Sequence, residues 1–311
     1  MEWVKVFAPA TVANVGPGFD ILGFAVKNIG DIVEARKTGS GIKISSIESE
    51  YPLTKAPEGN AVSIAASEVL KMLKEKNGLE IKLKKGIPHS AGMGSSAASA
   101  AAGAFAANCL YGNKLSKEEL IEPATKAEGV LAGYHADNTG PSLLGGATLV
   151  KYSKSLYSKN LDVVKIGFID ELKVILVTPE FRILTREARR ILPTEVPMKS
   201  FIANMGNSCM ITAAFAKNDY SLLARSINDV IVEPVRSKLI KGFDEVKKAA
   251  LDAGADGMTI SGSGSTVFAI TNNESKAMEI KKAMVEAFSK AGVESKGVVT
   301  EMDPEGTRLI K

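Results

Sequence analysis

The sequence predicts an α+β protein of two domains. Three observations predict it. At 311 residues the chain is about twice an ordinary domain. Alternating apolar runs that read as strands are interleaved with runs at helical spacing. A polar stretch at 153–162 (Ser153, Lys154, Ser155, Ser158, Lys159, Asn160) separates two such series and marks the expected boundary. With 45% apolar and 24% charged residues, the chain can bury a real core.

The elements follow in order. Residues 4–8, 31–37 and 42–47 read as strands, with Gly and Asn between them. Residues 61–76 place Val62, Ala65, Ala66, Val69, Leu70 and Leu73 on one helical face. Ile81 and Leu83 alternate with lysines in a strand that stops at Gly86-Ile87-Pro88. Residues 95–110 predict a helix in which eight of the eleven residues from Ala97 to Ala107 are alanine; small side chains on every face predict a central, closely packed helix. Ser116-Lys117-Glu118-Glu119 has the pattern of a capping box opening a further helix. Residues 146–152 read as a strand. Past the boundary come a strand at 173–178, several helices, two strands flanking Ser261-Gly262-Ser263-Gly264, a helix at 275–291 and a strand at 296–301. Strands alternating with helices on one sheet describe a sandwich of ferredoxin-like type.

Composition excludes several classes. Lys+Arg 39 against Asp+Glu 35, a net charge of +4, gives no polyanion signature. Two cysteines, Cys109 and Cys209, exclude a disulfide framework and a Cys-rich zinc site and fit a reducing cytosol. Two histidines, His89 and His135, exclude a multi-histidine centre. No apolar run reaches the ~18 residues of a membrane span. A soluble, cytoplasmic protein with neither nucleic acid nor membrane as partner is expected.

Four clusters carry chemistry. In Pro88-His89-Ser90-Ala91-Gly92-Met93-Gly94-Ser95-Ser96-Ala97-Ala98, a strand ends, glycines admit close backbone approach and a long helix begins. Free amides at a helix N-terminus converge on one spot, and the macrodipole favours an anion there. Without a Gly-Lys-Ser/Thr ending this is not a P-loop; the plainer alternative is a serine-capped turn with no ligand. The second cluster, Asn14-Val15-Gly16-Pro17-Gly18-Phe19-Asp20, sets an asparagine and an aspartate about a tight turn, facing a cleft or merely capping the turn. The third, Gly133-Tyr134-His135-Ala136-Asp137-Asn138 with Pro141, reads as a loop between helix and strand. The fourth is the turn Ser261-Gly262-Ser263-Gly264.

In this order and spacing, the four clusters resemble the GHMP superfamily of small-molecule kinases. Gly92 to Ala98 match its phosphate loop, and Gly262-Ser263-Gly264 its C-terminal glycine motif. Asn14 to Asp20, His135-Ala136-Asp137-Asn138 with Pro141, and Glu233-Pro234-Val235-Arg236 narrow the resemblance to the homoserine-kinase family. Ser265, Thr139-Gly140 and His89-Ser90 depart from the usual pattern and bear on loop conformation.

The resemblance implies a domain like the second domain of ribosomal protein S5 at 1–156, holding the phosphate loop, and a ferredoxin-like domain at 157–311, with ATP and L-homoserine buried between them. It further implies transfer of the ATP γ-phosphoryl group to the homoserine hydroxyl, in threonine biosynthesis, by a homodimer. Pro88, His89, Ser90, Ala91, Gly92, Met93, Gly94, Ser95, Ser96, Ala97 and Ala98, with Gly262 and Gly264, would hold ATP. Ser96 and Glu128 would hold Mg2+, with Ser95 the alternative serine; unaided by the family, Glu128 reads as an exposed helix glutamate. Asn14, Asp20, His135, Asn138, Thr185, Arg189 and Arg236 would bind homoserine, with Asn138 and Arg189 closest to the chemistry.

A zwitterionic substrate fits these types: its ammonium wants a carboxylate, which Asp20 supplies, and its carboxylate wants a guanidinium fork. Arg186 or Arg190 could replace Arg189 as the inward arginine. Asn138 stands where other superfamily members place an acidic base, and an amide cannot take a proton. The expected mechanism is therefore alignment and charge neutralisation, with the γ-phosphate or water accepting the proton. Asp137 is expected to point away if Asn138 points in. Two other readings remain: a sister kinase for shikimate, mevalonate or a sugar, and a nucleic-acid-binding or regulatory module without turnover.

Overall fold

A computed structural model describes residues 2–131, 133–152 and 161–311. The first series comprises β1 (Val4–Ala13), β2 (Leu22–Thr38), β3 (Ile42–Glu48), α1 (Ala61–Met72), β4 (Gly78–Lys84), α2 (Ser95–Leu110), α3 (Ile121–Leu131), α4 (Ala136–Leu144), β5 (Ala147–Tyr152) and β6 (Leu161–Gly167). The second comprises β7 (Lys173–Pro179), α5 (Thr185–Arg190), α6 (Met198–Lys217), α7 (Tyr220–Ala224), α8 (Glu233–Arg236), α9 (Phe243–Asp252), β8 (Gly257–Ile260), β9 (Val267–Thr271), α10 (Glu274–Lys290), β10 (Ser295–Glu301) and β11 (Arg308–Leu309).

Seven strands make the first sheet, in the order β11-β1-β2-β4-β3, with β5 on β2 and β6 on β5. Alternating residues of its two long strands (Val6, Ala8, Val12; Phe24, Val26, Val33) are withdrawn from water. A bulge falls between Pro9 and Thr11, where proline has no N–H to give the ladder. The expected strands at 4–8 and 31–37 are thus the ends of longer ones; Lys27, Asn28 and Gly30 obscured the first half of β2. Helix α2 is buried along nearly its whole length. At Gly103 it lies so close to α1 that a Cβ there would sit 2.1 Å from the Val62 carbonyl oxygen, which is what an alanine-rich, charge-free helix allows.

The second sheet is antiparallel in the order β10-β7-β9-β8, with α9 and α10 as its helices: the ferredoxin-like arrangement. Its two faces bury different residues, as strand alternation requires. Ile175, Val177, Val267 and Ala269 pack with Val246, Met284 and Phe288 of α9 and α10. Val174, Leu176, Phe268 and Ile270 instead join the core of the first sheet, where the Phe24 ring lies 6.1 Å from both Phe215 and Phe268. The two sheets therefore share one core along one side of a cleft.

Three expectations need correction. Helix α1 ends at Met72, four residues short of the predicted 76, and Lys74 turns left-handed (φ +56°). The capping box is formed, with Ser116 N–H on Glu119 and Glu119 N–H on Ser116 Oγ, but α3 begins only at Ile121. Residues 136–144, read as part of a loop, are helix α4 with Pro141 inside it. The proposed division at 156/157 lies outside the described residues; beyond it, β6 and β11 hydrogen-bond into the first sheet. Among the described residues no helix is long and apolar enough to cross a membrane.

Candidate active site

The turn after β4 leads into α2 through Gly92 (φ +79°) and Gly94 (φ +66°), both left-handed. Neither position has room for a side chain. A Cβ at Gly92 would sit 2.3 Å from Ser261 O, and one at Gly94 2.1 Å from Thr11 Oγ1. The fourth cluster is docked on this loop, with Ser261 Oγ donating to Gly92 O at 2.7 Å. Of the expected phosphate-loop residues, His89, Ser90, Ala91, Gly92, Gly94, Ser95 and Ser96 line one cavity of about 130 Å3, together with Gly262. Pro88 and Met93 line a larger adjoining one of about 620 Å3, between the segment after β4 and β7. Ala97 and Ala98 are fully buried. The Ala98 amide already donates to Gly94 O at 2.9 Å, so Ala98 has no free donor for a phosphate. Gly264 lines neither cavity; its N–H donates to Ser261 O.

The small cavity is also where the other clusters meet. Asn14 stands at the end of β1 in the left-handed region (φ +69°), followed by Val15 and Gly16 in the same region. Its Oδ1 accepts from Asp20 N–H at 3.0 Å and its Nδ2 donates to Gly262 O at 2.7 Å. Asn14 therefore braces the turn and ties it to the glycine turn while facing the cavity. Asp20, 4% exposed, is held by Arg189 through two bonds of 2.9 and 2.8 Å. This settles the choice of arginine: Arg189 is inward, while Arg186 and Arg190 are exposed. Arg236 is buried, donates to the Ala188 and Gly262 carbonyls, and stacks 4.9 Å from the Phe19 ring centroid. Burial and the neighbouring Arg189 draw it down to about 10. Thr185 faces Ser263 at 3.4 Å.

Helix α4 supplies the remaining groups from its N-terminal turn. Asn138 Oδ1 accepts from Thr11 Oγ1 at 2.7 Å. Asp137, expected to point away, lines the same cavity and is 2% exposed; one helical step apart, both side chains reach it. Burial first, then the charge of Asp20, lift its carboxyl to about 7. This is the residue that sequence reasoning missed, and its place within the third cluster was the available signal. Pro141 cannot donate to the Asp137 carbonyl, which instead lies over Gly23, where a Cβ would be 1.9 Å away.

Glu128 is buried, not the exposed glutamate of the plainer reading. His135 Nδ1 lies 3.5 Å from its Oε1. Burial depresses the His135 pKa, but the hydrogen bond to Glu128 and the charges of Glu128 and Asp137 together outweigh it, and the net shift is upward. Glu128 Oε2 and His135 Nε2 are buried with no partner among the described residues. Such orphans are rare and ask for a ligand. A carboxylate oxygen without a donor, across a cavity from a phosphate loop, fits a hard cation. Ser95 Oγ is committed to Ile87 O at 3.2 Å, which leaves Ser96 as the hydroxyl on the cavity side.

A glycine-rich loop opening a helix, a buried carboxylate with an unpartnered oxygen and a pocket of opposed charges, all in a cleft between two α+β units, are what a small-molecule kinase requires. Comparisons agree. Residues 60–146 match the family model for the GHMP kinases N terminal domain, and residues 211–290 that for GHMP kinases C terminal. Homoserine kinase of Arabidopsis thaliana is 42% identical over 99% of this chain and 84% of its own length. That of Chloroherpeton thalassium is 40% identical over the whole of both chains. The crystal structure of homoserine kinase from Cytophaga hutchinsonii superposes with a TM-score of 0.93 at 43% identity, covering 100% of this chain and 98% of that one. L. major mevalonate kinase, at 17% identity and a TM-score of 0.72, shares the fold. The chain belongs to the homoserine kinase family of the GHMP kinases.

Proposed function

We propose that this protein transfers the γ-phosphoryl group of ATP to the side-chain hydroxyl of L-homoserine, giving O-phospho-L-homoserine and ADP, in the synthesis of threonine. One observation carries the choice of acceptor. The cavity beside the phosphate loop holds a buried guanidinium, Arg236, bonded only to backbone carbonyls, and a buried carboxylate, Asp137, outside ion-pair reach of any cation among the described residues. An amino acid brings one counter-charge for each. Asp20 and Arg189 flank the same space and complete its recognition; Asn14 and Thr185 shape its wall.

The loop amides from Gly92 to Ala97 take the phosphates, and the larger cavity has the size and position for the nucleoside. Ser96 and Glu128 would hold Mg2+, which supplies charge neutralisation on the phosphates; His135 orients Glu128. Asn138 holds the acceptor hydroxyl in line. An amide takes no proton, so the proton passes to a γ-phosphate oxygen or to water, which suits a loose transition state where alignment and electrostatics do most of the work.

Two further assignments belong to this reading. The enzyme works in the cytoplasm as a homodimer. Helix α6 carries no charged residue between Lys199 and Lys217 and exposes Phe201, Ile202, Met205 and Met210 on one side, a surface to which a second copy of itself brings no unpaired charge. Residues 1–156 form its N-terminal unit, completed by β6 and β11.

The test is ADP release with Mg-ATP and, in parallel, L-homoserine, shikimate, mevalonate and galactose. Turnover on homoserine alone is expected. Turnover only on another acceptor would sink the pocket assignment, and ATP binding without turnover on any would favour a non-enzymatic module.

A further inference from the structure

Asp31 stands at an inward-facing position of β2, paired in the ladder with Ala8 and followed on the same face by Val33 and Ala35, all fully buried. A carboxylate there carries a desolvation cost that an apolar residue would avoid, and a buried ion pair is a poor source of stability. What it touches gives its use. Its Oδ1 accepts from the Gly86 N–H at 3.1 Å. Its Oδ2 accepts from Ser99 Oγ at 2.6 Å and pairs with the Lys85 ammonium. That ammonium, on a side chain 7% exposed, also donates to Ser95 O at 2.7 Å and to Ser99 Oγ at 2.8 Å, so all three of its donors are committed within the cluster.

Lys85 and Gly86 are where the chain leaves β4, and Ser95 and Ser99 lie at the start of α2. The glycine loop between them therefore begins and ends on one carboxylate. Resting on the reading of this loop as the phosphate site, we propose that Asp31 is a positioning residue for ATP. It fixes the two ends of the loop against each other and so aims the loop amides, without touching the nucleotide: Asp31 and Ser99 line neither cavity. The loop has need of such a base. Ser90, Gly92 and Gly94 are all left-handed, and glycine holds no one conformation by itself. Its crest is bonded to the second unit, by Ser261 Oγ on Gly92 O and the Thr266 N–H on Ala91 O, so Asp31 is what ties it to the first.

The experiment separates positioning from support of the fold by measuring Tm together with KM for ATP and KM for L-homoserine. Asp31→Asn keeps an acceptor for Gly86 but leaves the Lys85 ammonium buried without a counter-charge. Tm should fall and KM for ATP should rise about tenfold, a displaced loop costing less than a full ångström at the reacting centre, while KM for homoserine stays near its wild-type value. Asp31→Asn/Lys85→Met removes both charges and with them the stranded ammonium, so Tm should recover. KM for ATP should stay raised, because the loop ends are still untied. Lys85 also lines the larger cavity, so Ser99→Ala is measured beside it. That variant unpairs no charge and should raise KM for ATP about threefold, the scale of one net hydrogen bond; it carries the test alone if an Asp31 variant does not fold. Recovery of KM for ATP along with Tm in the double variant, equal losses on both substrates, or wild-type kinetics in Ser99→Ala would each overturn the proposal. Gly92→Ala is the control for the underlying reading. Its loss of ATP use with none in the Asp31 and Ser99 variants would sink the positioning role alone, and normal ATP kinetics in Gly92→Ala would bring down both.

Discussion

The phosphate loop and the acceptor pocket are neighbours built on opposite principles. The loop is one contiguous stretch, and its work is done by backbone amides held in left-handed turns at Gly92 and Gly94. The pocket is assembled from side chains of distant segments: Asn14 and Asp20 after β1, Asp137 and Asn138 on α4, Arg189 on α5 and Arg236 on α8. The loop binds through geometry that any side chain would obstruct. The pocket binds through charges that must be balanced whether or not a substrate is present, and Asp20 with Arg189 shows one way of balancing them. Damage to the loop should therefore abolish nucleotide use altogether, whereas damage to the pocket should separate the two substrates.

The largest effect is expected at Gly92. Its Cβ would meet two backbone oxygens, of Ser261 at 2.3 Å and Gly264 at 2.8 Å, and neither can swing aside as a flexible side chain would. Gly92→Ala should push the docked glycine turn away and cost about 100-fold or more in kcat/KM for ATP, the scale of an ångström's misplacement at a reacting centre. Near-normal ATP kinetics in this variant would mean that the loop is not the phosphate site.

Arg236→Met should come next and should fall on one substrate only. Removing the guanidinium from a desolvated charge pair costs roughly 100-fold in kcat/KM for homoserine, with ATP affinity held because the loop is untouched. An equal loss on both substrates would place Arg236 among the structural supports of the glycine turn, through its bond to Gly262 O, and not among the readers.

The same contrast explains what was legible in the sequence. The loop announced itself because its determinants are consecutive: strand end, glycines, serines, helix. Short strands with their apolar residues close together, such as residues 42–47 and 173–178, were legible for the same local reason. The first half of β2 was not, because Lys27, Asn28 and Gly30 break the alternation at a bulge that exists only opposite Pro9. Helix α4 was hidden by Pro141, whose disruption is absorbed by Gly23, more than a hundred residues away along the chain. That helix decides the direction of Asp137, so the residue types of the pocket could be named while its internal pairing could not. Asp20 and Arg189 are 169 residues apart, and no local pattern foretells their contact.

Asn138→Asp probes the boundary between loop and pocket with a smaller change. Asn138 Oδ1 accepts from Thr11, and an aspartate keeps that bond. It adds a negative charge beside Asp137 and the incoming phosphate, so turnover should fall about tenfold, which corresponds to about 1.4 kcal/mol on the barrier. Higher turnover with a carboxylate-type pH profile would show that a missing base limits the enzyme, and the alignment mechanism would fail.

The smallest effect is read in stability, where the pocket's charge balance should appear without any substrate. The Asp137 carboxyl titrates near 3.8 when free in water and is lifted to about 7 by burial and by the charge of Asp20. Between those values the folded protein holds a proton that the unfolded chain has released, so this group's contribution to stability is fully present below pH ~4 and is lost as the pH rises through ~7. Thermal melts across that window should show Tm falling with pH in the wild type and falling less steeply in Asp137→Asn, which cannot ionise. The slope is the informative quantity, since a mere packing defect would lower Tm by the same amount at every pH. Parallel curves for the two proteins would mean that Asp137 is already ionised in the native pocket, balanced by a cation there, and that a missing counter-charge at Asp137 is no longer an argument for an ammonium-bearing substrate.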